Sequence, residues 1–250
     1  MAEASQNITT IIVSWNVRDT LIKNLEQLSG DIVVVDNASS DGSVEAVRAK
    51  FPHIRVIANQ KNLGFAKACN QGIALAKGHV LLLNPDMLAS EEAVAKTAAY
   101  LDAHPDVAVV GAKLLDQNGK AMHHMRRFPT WKDQLVILLK MNRVFPSIID
   151  RYMGKDLDLE REQDVDTVRG SFFAINRTAL DNIGALDERY FIWFEEVDYC
   201  RQAKAHGMRV RYVPDIVVKD LVGKSFAKRN RIWKRWQFTK SLLNYFWKWL

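Results

Sequence analysis

Three stretches of this 250-residue chain place carboxylates where they can do chemistry. In Val33-Val34-Val35-Asp36-Asn37, a carboxylate directly follows a buried-type strand. There Asp36 can accept the N3–H of a pyrimidine base, a contact that admits uracil or thymine and refuses cytosine. Turn and helix-cap chemistry fits the same segment. In Asn84-Pro85-Asp86, the carboxylate follows the apolar strand Val80 to Leu83. It lies at the crevice where a diphosphate and its divalent cation would be held, because hard cations select oxygen ligands. In Leu186 to Arg201, Glu195, Glu196 and Asp198 open a helix beside Trp193 and Phe194. Adjacent Glu195 and Glu196 diverge by about 100°, so only one of them faces a given site. Aromatic faces suit a sugar ring, and a carboxylate beside them can deprotonate a hydroxyl nucleophile. Helix-dipole compensation, with Asp198 and Arg201 as an i,i+3 pair, accounts for the same charges.

A fourth stretch, Asn62-Leu63-Gly64-Phe65 to Asn70-Gln71-Gly72, is less easily read as packing. Ala66 and Asn70 are four apart and share a helix face. An Asn inside a helix costs propensity, which favours a use for it; the alternative is an Asn satisfied by a neighbouring loop. Other patterns are excluded. There is no G-x-G-x-x-G and no G-x-S-x-G, and Gly223-Lys224-Ser225 lacks the earlier P-loop glycine, since Val218 stands there. His123 and His124 are adjacent and face opposite ways on a strand, a poor arrangement for one metal.

These residues must be positioned by alternating elements. Strands are expected at Ile8–Trp15, Asp31–Val35, Ile54–Ala58, His79–Leu83, Val107–Leu115, Val168–Asn176 and Arg209–Val213. Helices are expected from Leu21 to Leu28 and at Ser43–Lys50, Phe65–Lys77, Ser90–Leu101, Trp131–Met141 and Glu195–His206. Such alternation means an α/β fold, a mostly parallel central sheet with helices on both faces and ligands at the carboxyl ends of its strands.

Composition agrees: apolar residues make up 48% and charged residues 26%, as in a globular chain with a sizeable core. Two cysteines, Cys69 and Cys200, form neither a disulfide framework nor a four-thiolate zinc site and point to a reducing compartment. Apolar runs such as Leu135–Leu139 are far short of the roughly 18 residues of a membrane span, and Met1–Gln6 lacks the charge of a signal peptide. The expected location is cytoplasmic. The net charge of +6 is local: Lys224 to Leu250 holds eight Lys or Arg and no acid, leaving the first 223 residues at −2. Four of the seven tryptophans share this tail. At 100° per residue, Ile232, Trp236, Leu243, Phe246, Trp247 and Leu250 gather on one side. Lys234, Gln237, Lys240, Ser241, Asn244 and Lys248 gather on the other. Residues 226–250 are thus expected to form a separable amphipathic helix on the inner face of a membrane, with docking on its own domain or a homodimer partner as the alternative. Nucleic-acid binding by this tail would leave the polar strand ends unexplained.

In this order, Ile11 to Asn16, the Asp36 segment, Asn62 to Gly72, Asn84-Pro85-Asp86, Arg169-Gly170-Ser171-Phe172 and Phe194 to Arg201 resemble the family 2 inverting glycosyltransferases of GT-A fold. The Asn-x-Gly-Phe stretch and Arg126-Arg127-Phe128-Pro129-Thr130 resemble its bacterial rhamnosyltransferase-like branch. The resemblance implies one catalytic domain over 1–225, with a donor half (1–115) and an acceptor half (116–225). It implies a nucleotide-diphospho-sugar donor, dTDP-rhamnose or a UDP-sugar, and a lipid-linked or polysaccharide acceptor. Ser14, Asn16, Asp36, Asn62, Gly64, Phe65, Asn70, Asn84 and Asp86 would surround the donor nucleotide. Asp86 would hold a Mg²⁺ or Mn²⁺ ion. Gly170, Ser171, Trp193, Phe194 and Glu195 would meet sugar and acceptor, and Glu196 would be the catalytic base. Two positions depart from the family. The base is Glu where the family has Asp, and Lys219 stands at the place assigned to a metal-binding His. A lysine has donors and no acceptor, so Lys219 is expected to neutralise the diphosphate directly and lessen the need for a metal.

Overall fold

The computed structural model describes residues 7–221 and 230–250; Met1–Gln6 and Gly223-Lys224-Ser225 lie outside them. Four parallel strands form the first half: β1 (Ile8–Ser14), β2 (Asp31–Asp36), β3 (Arg55–Ala58) and β4 (His79–Leu83), in the order β3-β2-β1-β4. The crossovers are α1 (Arg18–Leu25), α2 (Ser43–Lys50) and α3 (Phe65–Ile73). The β-branched strands are buried on both faces, as a covered parallel sheet requires. Neighbouring residues go to opposite cores: Ile12, Val34 and Leu81 to one, Ile11, Val33 and Leu82 to the other. This is the period of 2 expected of strands.

The second half is antiparallel where it joins the first. β8 (Phe172–Ile175) runs against β4 on one side and against β6 (Val107–Leu115) on the other, and β9 (Arg209–Asp220) lies parallel to β6. Short β5 (Met87–Leu88) and β7 (Gln163–Asp164) pair antiparallel with β9. The sheet is therefore mixed, though mostly parallel. The remaining helices are α4 (Glu91–Ala103), α5 (Trp131–Leu138), α6 (Pro146–Tyr152), α7 (Arg177–Ile183), α8 (Glu195–Ala205) and α9 (Arg231–Trp249).

The expected Ser43–Lys50 helix and the His79–Leu83 and Val107–Leu115 strands are found at those bounds. β9 instead continues past Val213. An irregularity opposite Ala112 and Lys113 absorbs Pro214, and pairing resumes at Val217. A bulge of this kind accommodates a proline that would break regular pairing. The two histidines serve different backbones, His124 at Ala112 O (2.8 Å) and His123 at Leu157 O (3.1 Å).

α9 is docked, which corrects the expectation of a detachable tail. Leu242, Tyr245 and Phe246 form a separate core with Tyr190 and Phe194, from the segment before α8. Polar side chains of α9 also reach the domain beside this core. Ser241 Oγ donates to Ile192 O (2.8 Å), Asn244 Nδ2 to Arg189 O (3.2 Å), and Lys248 Nζ reaches Asp198 (2.7 Å) and Asp187 (2.9 Å). A period count groups side chains by face but does not say which face meets the protein.

Candidate active site

A pocket of about 270 Å³ opens at the carboxyl ends of the parallel strands. From the first half it takes Val13, Trp15, Asn37, Asn62, Gly64 and Phe65, then Asn84, Pro85 and Asp86 after β4. Arg169, Gly170 and Ser171 come from the turn before β8; Phe191 to Trp193, Glu195 and Glu196 come from the entry to α8. Trp233 of α9 completes the described lining. The turns after β4 and before β8 are joined directly, since Asn84 N–H donates to Ser171 O (2.9 Å). Asp86 and Ser171 therefore reach one pocket despite their separation in sequence.

Gly64 makes a second join. Its φ is +89°, and a Cβ there would stand 2.6 Å from Phe191 O. The next residue, Phe65, donates its N–H to that same carbonyl (2.6 Å). Only glycine permits this approach and this backbone. Asn37 holds the opposite side of the same loop: its Nδ2 donates to Gly64 O (3.0 Å), and its Oδ1 accepts from Asn59 Nδ2 (3.1 Å).

The approach to α8 is strained. Trp193 (φ 64°) and Phe194 (φ 72°) are successive left-handed residues with bulky side chains, costing about 1–2 kcal/mol each. Phe238 on α9 packs against both rings, and Tyr245 packs on Phe194. Thus α9 holds the bend that sets the two glutamates at the helix start. Both lie in the pocket wall, and each has an Oε2 that is buried without a hydrogen-bond partner. Burial raises the pKa of Glu195 well above the carboxylate range, and the charge of Glu196 adds to the rise. Burial raises Glu196 as well, opposed by its own backbone N–H and the charges of Arg126 and Arg169. Glu196 is the member of the pair better supported as an anion. Gly170 lies against it, so that a Cβ there would meet Glu196 Cβ at 3.5 Å.

Among the described residues twelve buried side-chain atoms lack a hydrogen bond; three belong to the lining residues Ser171, Glu195 and Glu196, and two more to Ser14 and Asp36 behind the wall. Each such atom costs about 1–3 kcal/mol, a penalty that a bound ligand removes when it supplies the partner.

Of the site residues expected from the sequence, Asn62, Gly64, Phe65, Asn84, Asp86, Gly170, Ser171, Trp193, Glu195 and Glu196 share this pocket. Ser14 and Asp36 sit behind the wall in register with one another, both buried, and Asp36 Oδ1 accepts from Ser39 N (2.7 Å). Asn16 accepts from Ser40 N–H (2.8 Å) and shapes that turn. Three expectations are corrected. Asn70 clasps the backbone of Leu186, with its Nδ2 on the carbonyl (2.8 Å) and its Oδ1 on the N–H (3.0 Å), so it positions the later loop and does not line the pocket. Phe194 is buried under α9. Lys219 is exposed on β9, opposite Leu88 and Leu115, and does not line the pocket. Its neighbour Asp220 is the buried one, as strand alternation demands.

Asp220 is paired with Met87 in the strand register, and Leu221 N–H donates to Asp86 O (2.9 Å), which brings the Asp220 and Asp86 segments together. Arg169 Nη1 lies 2.9 Å from Asp220 Oδ2. No group of three or more metal-ligating side chains occurs among the described residues. The donor set nevertheless fits a Mg²⁺-type ion, which takes one or two carboxylates and completes its shell with phosphate and water. Asp86, Glu195 and Glu196 all line the pocket, together with Arg169. Asn37, Arg169, Phe191 and Trp233 also line the pocket, although sequence reasoning assigns them no role in it. Arg169 adjoins the Gly170-Ser171 turn and could have been found from it, whereas nothing local in the sequence links Trp233 to a strand end.

Comparison with known proteins agrees with this geometry. Residues 5–239 match the family model described as glycosyltransferase-like family 2. An N-acetylglucosaminyl-diphospho-decaprenol L-rhamnosyltransferase of Mycobacterium tuberculosis is 25% identical over 205 residues, covering 75% of this chain and 65% of its own. Rhamnosyltransferase WbbL of Escherichia coli is 25% identical over 220 residues, 82% of this chain and 79% of its own. The chain thus spans just under two thirds of the mycobacterial relative's length. Among solved structures, a mannosyltransferase from Pyrobaculum calidifontis, in complex with GDP-Man and Mn²⁺, superposes with a TM-score of 0.64 at 20% identity, covering 97% of this chain and 63% of that one. That likeness speaks for the GT-A fold alone. With the family match running almost end to end over the strands, turns and helix that build the pocket, the chain belongs to the family 2 glycosyltransferases.

Proposed function

We propose that the protein transfers a sugar, with inversion, from a nucleotide-diphospho-sugar to a hydroxyl of a lipid-linked or polysaccharide acceptor. The observation that carries this reading is that Asp86, after β4, and Glu196, at the start of α8, face one pocket. The mycobacterial relative is named for rhamnosyl transfer to a lipid-diphosphate-linked sugar, and the second relative is also a rhamnosyltransferase. On that basis the donor is dTDP-rhamnose, with a UDP-sugar as the alternative.

In the reaction, the ionised carboxylate of Glu196 takes the proton of the acceptor hydroxyl as its oxygen attacks the anomeric carbon. The new C–O bond forms on one face while the bond to the diphosphate breaks on the other, which inverts the centre. Gly170 keeps the space beside Glu196 open, and Trp193 offers an aromatic wall to the sugar. Arg169 contributes positive charge to the pocket. A divalent cation held by Asp86, with Asp220 alongside, would offset the charge on the leaving diphosphate. Orientation and leaving-group neutralisation supply most of the rate.

The test is a thermal-shift panel of UDP, dTDP, GDP and their sugars, each with Mg²⁺, Mn²⁺ or EDTA, followed by turnover. A ligand that binds only the folded chain raises its melting temperature by mass action. Shifts with dTDP compounds that depend on a metal are expected. Glu196→Gln should keep the shift while turnover falls by a factor on the order of 10² or more. Shifts confined to UDP compounds would select the alternative donor. A shift without turnover in the parent chain would make the protein a nucleotide-sugar binder.

A further inference from the structure

Exposed apolar side chains are not spread evenly over this molecule. Of the thirteen large ones exposed among the described residues, eleven lie in residues 131–145 or on α9 and its C-cap. The first segment presents Leu135, Leu138, Leu139, Val144 and Phe145, together with Trp131. The second presents Ile232, Trp236, Leu243, Trp247 and Leu250, with Trp247 83% exposed. The two segments adjoin. Trp131 stacks on Phe246 with ring centroids 3.8 Å apart, and a groove between them is lined by Ile137 and Leu138 from one side and Phe238 from the other. Lys140, Lys234 and Arg235 line the same groove.

The helix departs from the usual rule. An amphipathic helix on a soluble protein turns its apolar stripe inward, whereas α9 is apolar on two sides: Leu242, Tyr245 and Phe246 are buried on the domain, and Ile232, Trp236, Leu243, Trp247 and Leu250 are left outside. Apolar patches of this extent mark an interaction surface. We infer that α9 and residues 131–145 form one face that docks on an anionic lipid bilayer.

Charge selects this occupant. Lys132, Lys140 and Arg143 flank the first set of apolar side chains, and Arg231, Arg235 and Lys240 flank the second. The only acid in either segment is Asp133, which is buried and paired with Arg151 at 2.7 Å. Apolar residues with tryptophans and a basic rim are what an interfacial surface needs. A second copy of the chain meeting this face symmetrically would instead oppose like charges. Trp193 lines both the groove and the candidate active site, so a bilayer on this face lies beside the pocket. That last point rests on the transfer reading above and suits an acceptor whose lipid stays in the membrane.

The experiment is co-sedimentation of the full chain with phosphatidylcholine vesicles, with and without phosphatidylglycerol, in the absence of donor and acceptor. Its outcome is thus independent of whether transfer occurs. Binding to the anionic vesicles that weakens with salt is expected. Leu139→Glu and Trp236→Glu should each lower partitioning by about tenfold or more, and Lys140→Gln by about fivefold. Both exposed positions leave the fold intact, which an unchanged melting temperature checks. Failure to bind anionic vesicles, or equal binding by Leu139→Glu, would overturn the inference. So would a concentration-dependent dimer in free solution that Leu139→Glu dissociates, since the face would then belong to a second copy.

Discussion

At the scale of single residues, Glu195 and Glu196 show how one dipeptide serves two roles. They diverge around the start of α8, and burial raises both, but Glu195 also feels its neighbour's charge while Glu196 has Arg126 and Arg169 near it. The fold therefore favours a neutral Glu195. Its folded-state pKa is raised, so its contribution to stability is full below the ordinary carboxylate pKa and is lost as pH rises through the folded value. Glu195→Gln removes that loss. The variant should melt a few degrees above the parent chain at mildly alkaline pH, and the gap should close as the pH falls to about 4, as followed by calorimetry. Equal pH dependence in both proteins would mean that Glu195 is ionised in the fold. For Glu196, burial moves the acid limb of kcat/KM upward from where an ordinary glutamate would set it, with activity rising as the group ionises.

At the scale of elements, α8 and α9 act as a pair. Asp198 is fully buried on α8, two residues from Glu196, and takes Lys248 Nζ at 2.7 Å and Trp249 Nε1 at 2.7 Å from the end of α9. Without Lys248, Asp198 keeps Trp249 and Gln202 as donors but loses its counter-charge. Lys248→Met should therefore cost about 1.5–3 kcal/mol in urea denaturation, and Asp198→Asn in the same chain should restore part of that loss. If the double variant were no more stable than the single one, the pair would not be the source. The sequence suggested Asp198 and Arg201 as partners, but Arg201 instead donates to Tyr245 Oη (3.0 Å). The Lys219 reading failed at this scale too. Pro214 ended the visible strand at Val213, and a one-residue choice beyond it selects the opposite face.

Considered whole, the molecule joins a parallel half to a mixed half through β4 and β8 and docks α9 on the second of them. Trp233 brings that helix into the pocket, and Phe238 braces the strained turn at Trp193 and Phe194. Deleting residues 230–250 should accordingly lower the melting temperature and abolish the nucleotide-induced shift. The Leu139→Glu, Trp236→Glu double variant, altered only on the outer face, should keep both. A truncated chain that stayed folded and still bound nucleotide would return α9 to the status of a removable tail. Among the described residues no helix is long and apolar enough to cross a membrane.

The four parallel strands of the first half follow from the amino-acid order alone, because β-branched and apolar runs bounded by turn residues leave few alternatives, whereas short β5 and β7 and the far end of β9 do not. Asp86 was legible because it follows a strand whose apolar run is plain, whereas Gly170, Ser171 and Glu196 were assigned through the family resemblance of the segments that hold them. What distant segments do to one another emerged only when the chain was folded. Folding made Asn70 a clasp on Leu186, buried Phe194 under α9, set Asp220 inward in place of Lys219, and docked α9 through Ser241, Leu242, Tyr245 and Phe246. The physical reason is that periodicity is local: it assigns side chains to faces, while the partner of each face depends on contacts between segments far apart in the chain.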